Sequence, residues 1–481
     1  MQPSGTLSLA GLALSVILSG VVFLSQAPAW VALIPLGLFG IIELVQKLMT
    51  IHPRYFLYIM LALSYFVDDV NFQPWGPENT ISEILGAFFY QSYQVTPLEV
   101  LSLCLAVWIG ISAPKITRHI WWREGLGVGL FMVGLYQVGT FLSLGVGLSK
   151  GGDIGQHLIQ TRLHHLLPIW FFIGFTLISS ETHLKVVFRI LVLATTFKSV
   201  QGVVNFAAHW GTYTDPENEY LIDHFFSIYA AVAIVYLFYQ VLESSDPRHR
   251  LWSGIGLVPV VIAFVLNDRR TAVAGLGVAG LVFLGSRSKQ WYRRYRRALS
   301  TGTLVLVAMT AATWNVPPPV GILGSTVKSL VVGESQQTDR PDYRVLENAN
   351  LLHGVAQEPI MGMGTGRQVA NVFGMPDLSE IFPTFLLTPH NLFLANWAYG
   401  GPLVVAVLTS LIVFMTALSL RLLRFPRHPD HFLLGLLSFV FFMQLLAYVI
   451  GDLGTYVQRN LVTAGLLFGA LFRLTRRVDC D

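Results

Sequence analysis

Four short segments hold the residue types that chemistry needs. Arg269 and Arg270 lie in VLNDRRTAVAG, at a turn between two apolar runs. Arg344 lies in DYRVLENANLL, and Arg367 closes the glycine-rich PIMGMGTGR. His390 and Asn391 lie in LLTPHNLFLANWAYGG, at the entrance to a long apolar run. Guanidinium forks match phosphate oxygens bidentately, so the arginines read as an anion site. An imidazole beside them reads as a proton acceptor near neutral pH. Thr388 is placed to cap the helix after it, and Pro389 suits its first turn. His390 would then sit at the positive end of the helix dipole, which favours the neutral ring and a bound anion.

Each segment has a plainer reading. Arg269 and Arg270 can hold lipid phosphates or pair with Asp268. Pro341 suits a helix start, and Val345, Ala349, Leu352 and Ala356 then form one apolar stripe, with Arg344, Glu347 and Asn348 on another face. That is also the pattern of a surface helix with a local Arg344–Glu347 pair. Gly362, Gly364 and Gly366 fit a tight turn, although glycines also let backbone N–H groups approach an anion. A lone histidine is more often structural than catalytic. His164 and His165 follow Arg162 at a span end, where they can line the same cavity. Asp215, Glu217, Glu219, Asp223 and His224 cluster in another loop that solvation explains. There is no HExxH or Cys/His ligand spacing and no GxSxG elbow, so neither a metal site nor a serine hydrolase is expected. Cys104 and Cys480 are too far apart in sequence and setting to read as a disulfide framework.

The elements that must position these residues are membrane helices. The chain has 481 residues, 53% of them hydrophobic and 12% charged, against about 25% charged in soluble proteins. Apolar runs of helix length recur throughout, too long for the alternating strands of a membrane barrel. The expected fold is an all-α polytopic membrane protein of about 12–14 transmembrane helices. One long loop, 315–388, contains short helices. Spans are expected near 5–24, 29–48, 55–70, 97–113, 125–148, 163–180, 184–206, 223–242, 252–267, 270–285, 298–314, 389–417, 432–451 and 459–474, and 81–90 reads as a partial or re-entrant piece. The first run lacks the basic flank of a cleaved signal peptide and reads as a retained span. SRSKQWYRRYRR (286–297), RLLRFPRHPDH (421–431), DPRHR (246–250), PKITRHIWWRE (114–124) and RLTRRVD (473–479) are all basic and fall on one side. By the positive-inside rule that side is cytoplasmic, together with both termini, and the long loop is external. The organisation read from this is 1–254 as N-terminal helices, 255–420 as a core with the loop 315–388, and 421–481 as C-terminal helices and tail.

The ordered set RRTAVAG (269–275), DYRVLENANLL (342–352), EPIMGMGTGR (358–367) and PHNLFLANWAYGGPL (389–403) resembles the O-antigen ligase and polymerase superfamily. The resemblance covers roughly residues 255–420. It implies a metal-independent glycosyltransferase of the inner membrane, without cofactor, acting at the periplasmic face. Its donor would be an undecaprenyl-diphosphate-linked glycan, and its acceptor lipid A-core, a glycan or a protein; nucleic acid is not an expected partner. Carried onto this chain, Arg344 and His390 would be catalytic. Arg269, Arg270, Arg367 and Asn391 would bind substrate. About fourteen spans exceed the twelve common in the ligases, which leaves the acceptor open. Two other classes compete: a solute transporter, for instance of inorganic carbon, and a non-catalytic protein of envelope assembly. A transporter is expected to show duplicated halves or helices broken at mid-membrane; no repeat is visible, and the polar residues gather at one face.

Overall fold

The computed structural model describes residues 53–66, 96–208, 225–267, 269–287, 289–316, 343–377, 384–426, 430–451 and 457–480, with the single positions 222, 324, 327, 328 and 428. The expected spans 5–24 and 29–48, the piece 81–90, the acidic cluster Asp215–His224 apart from Ile222, and the Asp339–Pro341 helix start lie outside the described residues. The chain divides into two compact units, Met1–Met60 and Leu61–Asp481. Of the first, only the opening of one helix is described; the bundle and its polar residues belong to the second.

The protein is an all-α polytopic membrane protein. The helices are α1 (Pro53–Phe66), α2 (Pro97–Ser112), α3 (Lys115–Arg123), α4 (Leu126–Ser149), α5 (Ile154–Thr161), α6 (Leu166–Leu177), α7 (Glu181–Ala208) and α8 (Phe226–Glu243). They continue as α9 (Pro247–Leu266), α10 (Arg270–Gly285), α11 (Lys289–Ala312), α12 (Tyr343–Gln357), α13 (Leu392–Arg424), α14 (His431–Gly451) and α15 (Gln458–Cys480). Among the described residues there is no strand, and six helices are long and apolar enough to cross a membrane, or up to eight if each of two bent pairs is one span. The basic segment 286–297 is largely helical and forms the start of α11. Helix starts follow their local chemistry. Thr96 and Glu99 make a reciprocal capping box for α2, and Asp246 followed by Pro247 opens α9.

Polar contacts tie the helix ends together. At one end, Gln458 Nε2 donates to Thr96 Oγ1 (2.7 Å), Tyr229 Oη to Asn460 Oδ1 (2.7 Å) and Asn267 Nδ2 to Ser227 Oγ (2.9 Å). At the other, Arg473 donates to Glu124 Oε2 (2.7 Å) and to the carbonyls of Phe175 and Thr176, while His431 meets Glu181 at 2.7 Å. Between these ends α15 packs on α6 through Phe171, Phe175, Phe468 and Phe472. Many large apolar side chains face outward, Ile111, Trp252, Leu281 and Leu403 among them, each more than 60% exposed. Lipid solvates such a surface; water would not.

The end a residue occupies can be traced through the antiparallel packing. Gln444, late in α14, donates to the carbonyl of Ala272 at the head of α10 (2.9 Å). Gly435, early in α14, lies against Ser419 and Leu423, late in α13. The heads of α10 and α13 therefore open at the same end of the bundle. The start of α9, the end of α10, the start of α11 and the ends of α13 and α15 lie at the opposite end. Arg248, Arg250, Arg287, Arg293, Arg294, Arg421, Arg424 and Arg473 are found there.

Candidate functional site

The site is assembled by α12 lying against the head of α13. Leu351 and Val355 of α12 pack with Ala395, Ala398 and Tyr399 of α13 and with Val369 of the intervening loop. The buried face of α12 is Glu347, Asn350, Leu351 and Val355. This corrects the expected stripe: Val345 and Leu352 are 60% and 52% exposed, whereas Glu347 is 2% exposed. Burying a carboxylate and an amide is costly unless both are bonded, and both are. Asn350 Oδ1 accepts from the backbone N–H groups of Val372 (2.7 Å) and Phe373 (3.0 Å), and its Nδ2 donates to the Leu346 carbonyl. That amide holds the loop after the glycine turn against α12.

Glu347 receives His390. The His390 backbone N–H donates to Glu347 Oε2 at 3.0 Å, and its ring Nδ1 lies 3.1 Å from Oε1. Tyr343 Oη also donates to Oε1 at 3.0 Å, and its ring meets the imidazole edge-on, with centroids 5.6 Å apart. Burial and the neighbouring Glu347 push the Tyr343 phenol far above its ordinary range, so it stays protonated and remains a donor. Arg344 adjoins Tyr343 and is half-buried on the same helix, three residues before Glu347.

The cap of α13 differs from expectation. Asn391 is the N-cap, its Oδ1 accepting from Leu394 N–H at 3.1 Å. Thr388 belongs to a preceding turn, its N–H and hydroxyl both reaching the Thr384 carbonyl. His390 thus stands one residue outside the helix rather than in its first turn. The neighbour that governs the ring is the Glu347 carboxylate, itself well placed at a helix N-terminus.

The glycine segment is a structural plug. Met363 N–H and Gly364 N–H donate to the carbonyls of Ala398 and Tyr399, Thr365 N–H to the Ser143 carbonyl, and Gly366 N–H to Gln160 Oε1. With these amides used inside the protein, the tight-turn reading holds and the anion-cradle reading falls. Arg367 comes next, half-buried, its guanidinium 3.3 Å from the Met363 carbonyl and its own carbonyl accepting from Gln160. His157 braces the turn from α5, with Nδ1 2.7 Å from Thr365 Oγ1. Burial, with His165 nearby, holds its ring down at about 4, so it is neutral at ordinary pH.

Beside the plug, a narrow cleft is walled by Thr140, Ser143, Gln160, His164, Thr365 and Asn396, among others. His164 lines this cleft, but His165, His390 and the arginines are not among the residues walling it, so the expected shared cavity is not formed by them. The Tyr136 hydroxyl lies 3.3 Å from both His164 Nδ1 and Asn396 Oδ1. His165 meets Gln137 and stacks on Phe141. Arg269 is the residue before α10, half-buried, and Arg270 is the first residue of that helix. The structure therefore brings Glu347, Tyr343 and His390 into contact, with Arg344 on the same helix. It sets Arg269 at the head of another helix that opens at the same end. Sequence reasoning missed Glu347 as the partner of His390, because the two lie 43 residues apart. Among the described residues, no group of three or more His, Cys, Asp and Glu is arranged to hold a metal ion.

The chain is an all-α membrane bundle in which a loop helix, α12, packs over the head of α13. Residues 255–409 match the family model described as O-antigen ligase. The matched stretch runs from within α9 into α13 and contains Arg269, Arg270, Arg344, Glu347, Arg367, His390 and Asn391. The class of activity this supports is glycan transfer by a membrane ligase or polymerase, from a lipid-linked donor to a glycan acceptor. A search of curated proteins returned no match.

Proposed function

We propose that the protein transfers a glycan from undecaprenyl diphosphate to an acceptor hydroxyl at the periplasmic face of the inner membrane. The observation that carries this is the packing of the Arg344-bearing helix over the head of α13, which holds His390 beside it. Arg344, with Arg269, Arg270 and Arg367 as further cations, binds the diphosphate and takes up the charge that grows on it as it leaves. His390 accepts the proton of the acceptor hydroxyl. The acceptor oxygen bonds to the anomeric carbon, the bond from that carbon to the phosphate oxygen breaks, and undecaprenyl diphosphate departs. Arginines meet the charge requirement of this leaving group, so no metal is needed in this scheme. Asn391 serves through its cap, which sets where His390 stops and α13 begins.

The charge distribution supports this orientation. The arginines of 286–297, 421–424 and 473–476 lie at the end opposite His390, and by the positive-inside rule an excess of arginine favours the cytoplasmic side for that end. A single cysteine introduced within 320–335 should react with an impermeant maleimide in intact spheroplasts. Labelling only after permeabilisation would reverse the orientation.

The activity is tested by deletion followed by analysis of surface polysaccharide and lipid-linked intermediates. Accumulated long chains on the carrier are expected from a ligase, and accumulated single repeat units from a polymerase. Unchanged polysaccharide and no accumulated carrier-linked glycan would overturn the transferase reading.

A further inference from the structure

We propose that Glu347 is the positioning residue that fixes the tautomer and orientation of the His390 ring, a role that rests on the transferase reading of this site. Both oxygens of one carboxylate hold one residue. Oε2 takes the His390 backbone N–H at 3.0 Å, and Oε1 takes Nδ1 at 3.1 Å. The first bond fixes the Cα position, and the second fixes the rotation of the ring. A carboxylate only accepts, so the proton of the neutral imidazole is on Nδ1, and Nε2 carries the lone pair. Nε2 is then the atom that receives the acceptor's proton.

The setting makes this arrangement rigid. Glu347 is 2% exposed, so solvent does not compete for its oxygens. Tyr343 Oη donates to Oε1 and its ring abuts the imidazole edge, which limits ring rotation. A clasp that merely pinned α12 to α13 would need only the backbone bond, because Leu351, Val355 and Asn350 already hold that interface. The bond to the ring is the part that a structural role leaves unexplained. A carboxylate behind a histidine, holding the nitrogen remote from the reacting atom, is the arrangement by which a general base is kept in one tautomer.

Glu347→Gln tests this with nearly unchanged shape. The amide oxygen can still take the backbone N–H, but the amide nitrogen can only donate to Nδ1, which moves the ring proton to Nε2. The full chain, in vesicles with a lipid-linked glycan donor, is assayed for kcat and for KM of the donor. In parallel, protein labelled with 15N-histidine is examined by NMR, with the His390 signals assigned by difference against His390→Ala. The wild-type ring should show a protonated Nδ1 and a bare Nε2. E347Q should show the reverse, with kcat lower by roughly 10²–10⁴-fold and donor KM within about twofold of wild type. A wild-type ring protonated on Nε2, or an E347Q variant turning over at the wild-type rate, would overturn the proposal. Loss of rate accompanied by a matching rise in donor KM, with the tautomer unchanged, would leave Glu347 a structural clasp and overturn it as well. Absence of transfer by the wild-type chain counts against the transferase reading alone, because the spectra judge the tautomer without turnover.

Discussion

His390→Ala should reduce glycan transfer by roughly 10²–10⁴-fold, the usual contribution of a general base, while the protein still inserts and folds. The side chain is only partly buried, and the helix it precedes is capped by Asn391, so α13 loses no cap when the imidazole is removed. The backbone N–H of residue 390 survives the substitution and keeps its bond to Glu347 Oε2. Deleting the ring leaves Glu347 Oε1 with Tyr343 alone, a modest stability cost. The loss therefore falls on kcat. Arg344→Ala should behave differently. Each charge-assisted hydrogen bond to the diphosphate is worth about 1.5–3 kcal/mol, so donor KM should rise roughly tenfold or more, and kcat should fall further if the bond strengthens as the diphosphate leaves. Kinetics with a lipid-linked glycan in reconstituted vesicles separate the two. Full activity in both variants would sink the mechanism.

These two residues were visible in the chain because their surroundings are conspicuous. Arg344 falls on the polar face of a helix that follows Pro341, and a histidine beside proline at the head of an apolar run marks a helix mouth. Twelve of the expected spans overlap described helices, of which six, or up to eight if each bent pair is one span, are long and apolar enough to cross a membrane. The choice of buried face on α12 was not legible. YRVLENANLLHGVAQ carries apolar residues on two sides, and periodicity alone cannot rank them. The winning side buries Glu347 and Asn350, whose bonding partners His390, Val372 and Phe373 come from later in the chain. The cap of α13 failed for a related reason. Thr388 and Asn391 are both good cap residues, and what selects between them is tertiary: Thr384 takes Thr388 into its turn, and Glu347 takes the N–H of His390. Polar residues satisfied across long sequence separations leave no periodic trace.

The glycine turn, by contrast, advertised itself through three alternating glycines, and the chemistry of its position predicts a large effect on stability. Gly364 has φ +82°, and a Cβ there would lie 2.1 Å from the backbone nitrogen of Gly147 on α4. Neither atom belongs to a flexible side chain, so one backbone must move. Gly364→Ala combines a left-handed backbone cost of about 1–2 kcal/mol with an overpacking cost of about 1–3 kcal/mol. The movement also breaks a ladder, because the flanking amides bond to Ala398, Tyr399 and Ser143. That ladder seats the loop between α4 and the break in α13 at Gly401, where φ is +73° and the Ile360 carbonyl fills the space a side chain would take. Gly374 supplies the control: its φ is +65°, but a Cβ there would meet nothing within 4 Å. Gly374→Ala should cost only the backbone part. In detergent, G364A should lose its folded state at a clearly lower temperature than G374A, and it should lose glycan transfer too, since the same loop continues into the residues held by Asn350 on α12. Equal thermal stability of the two variants would show that the plug yields without cost and that the contact with α4 does not set the position of the site.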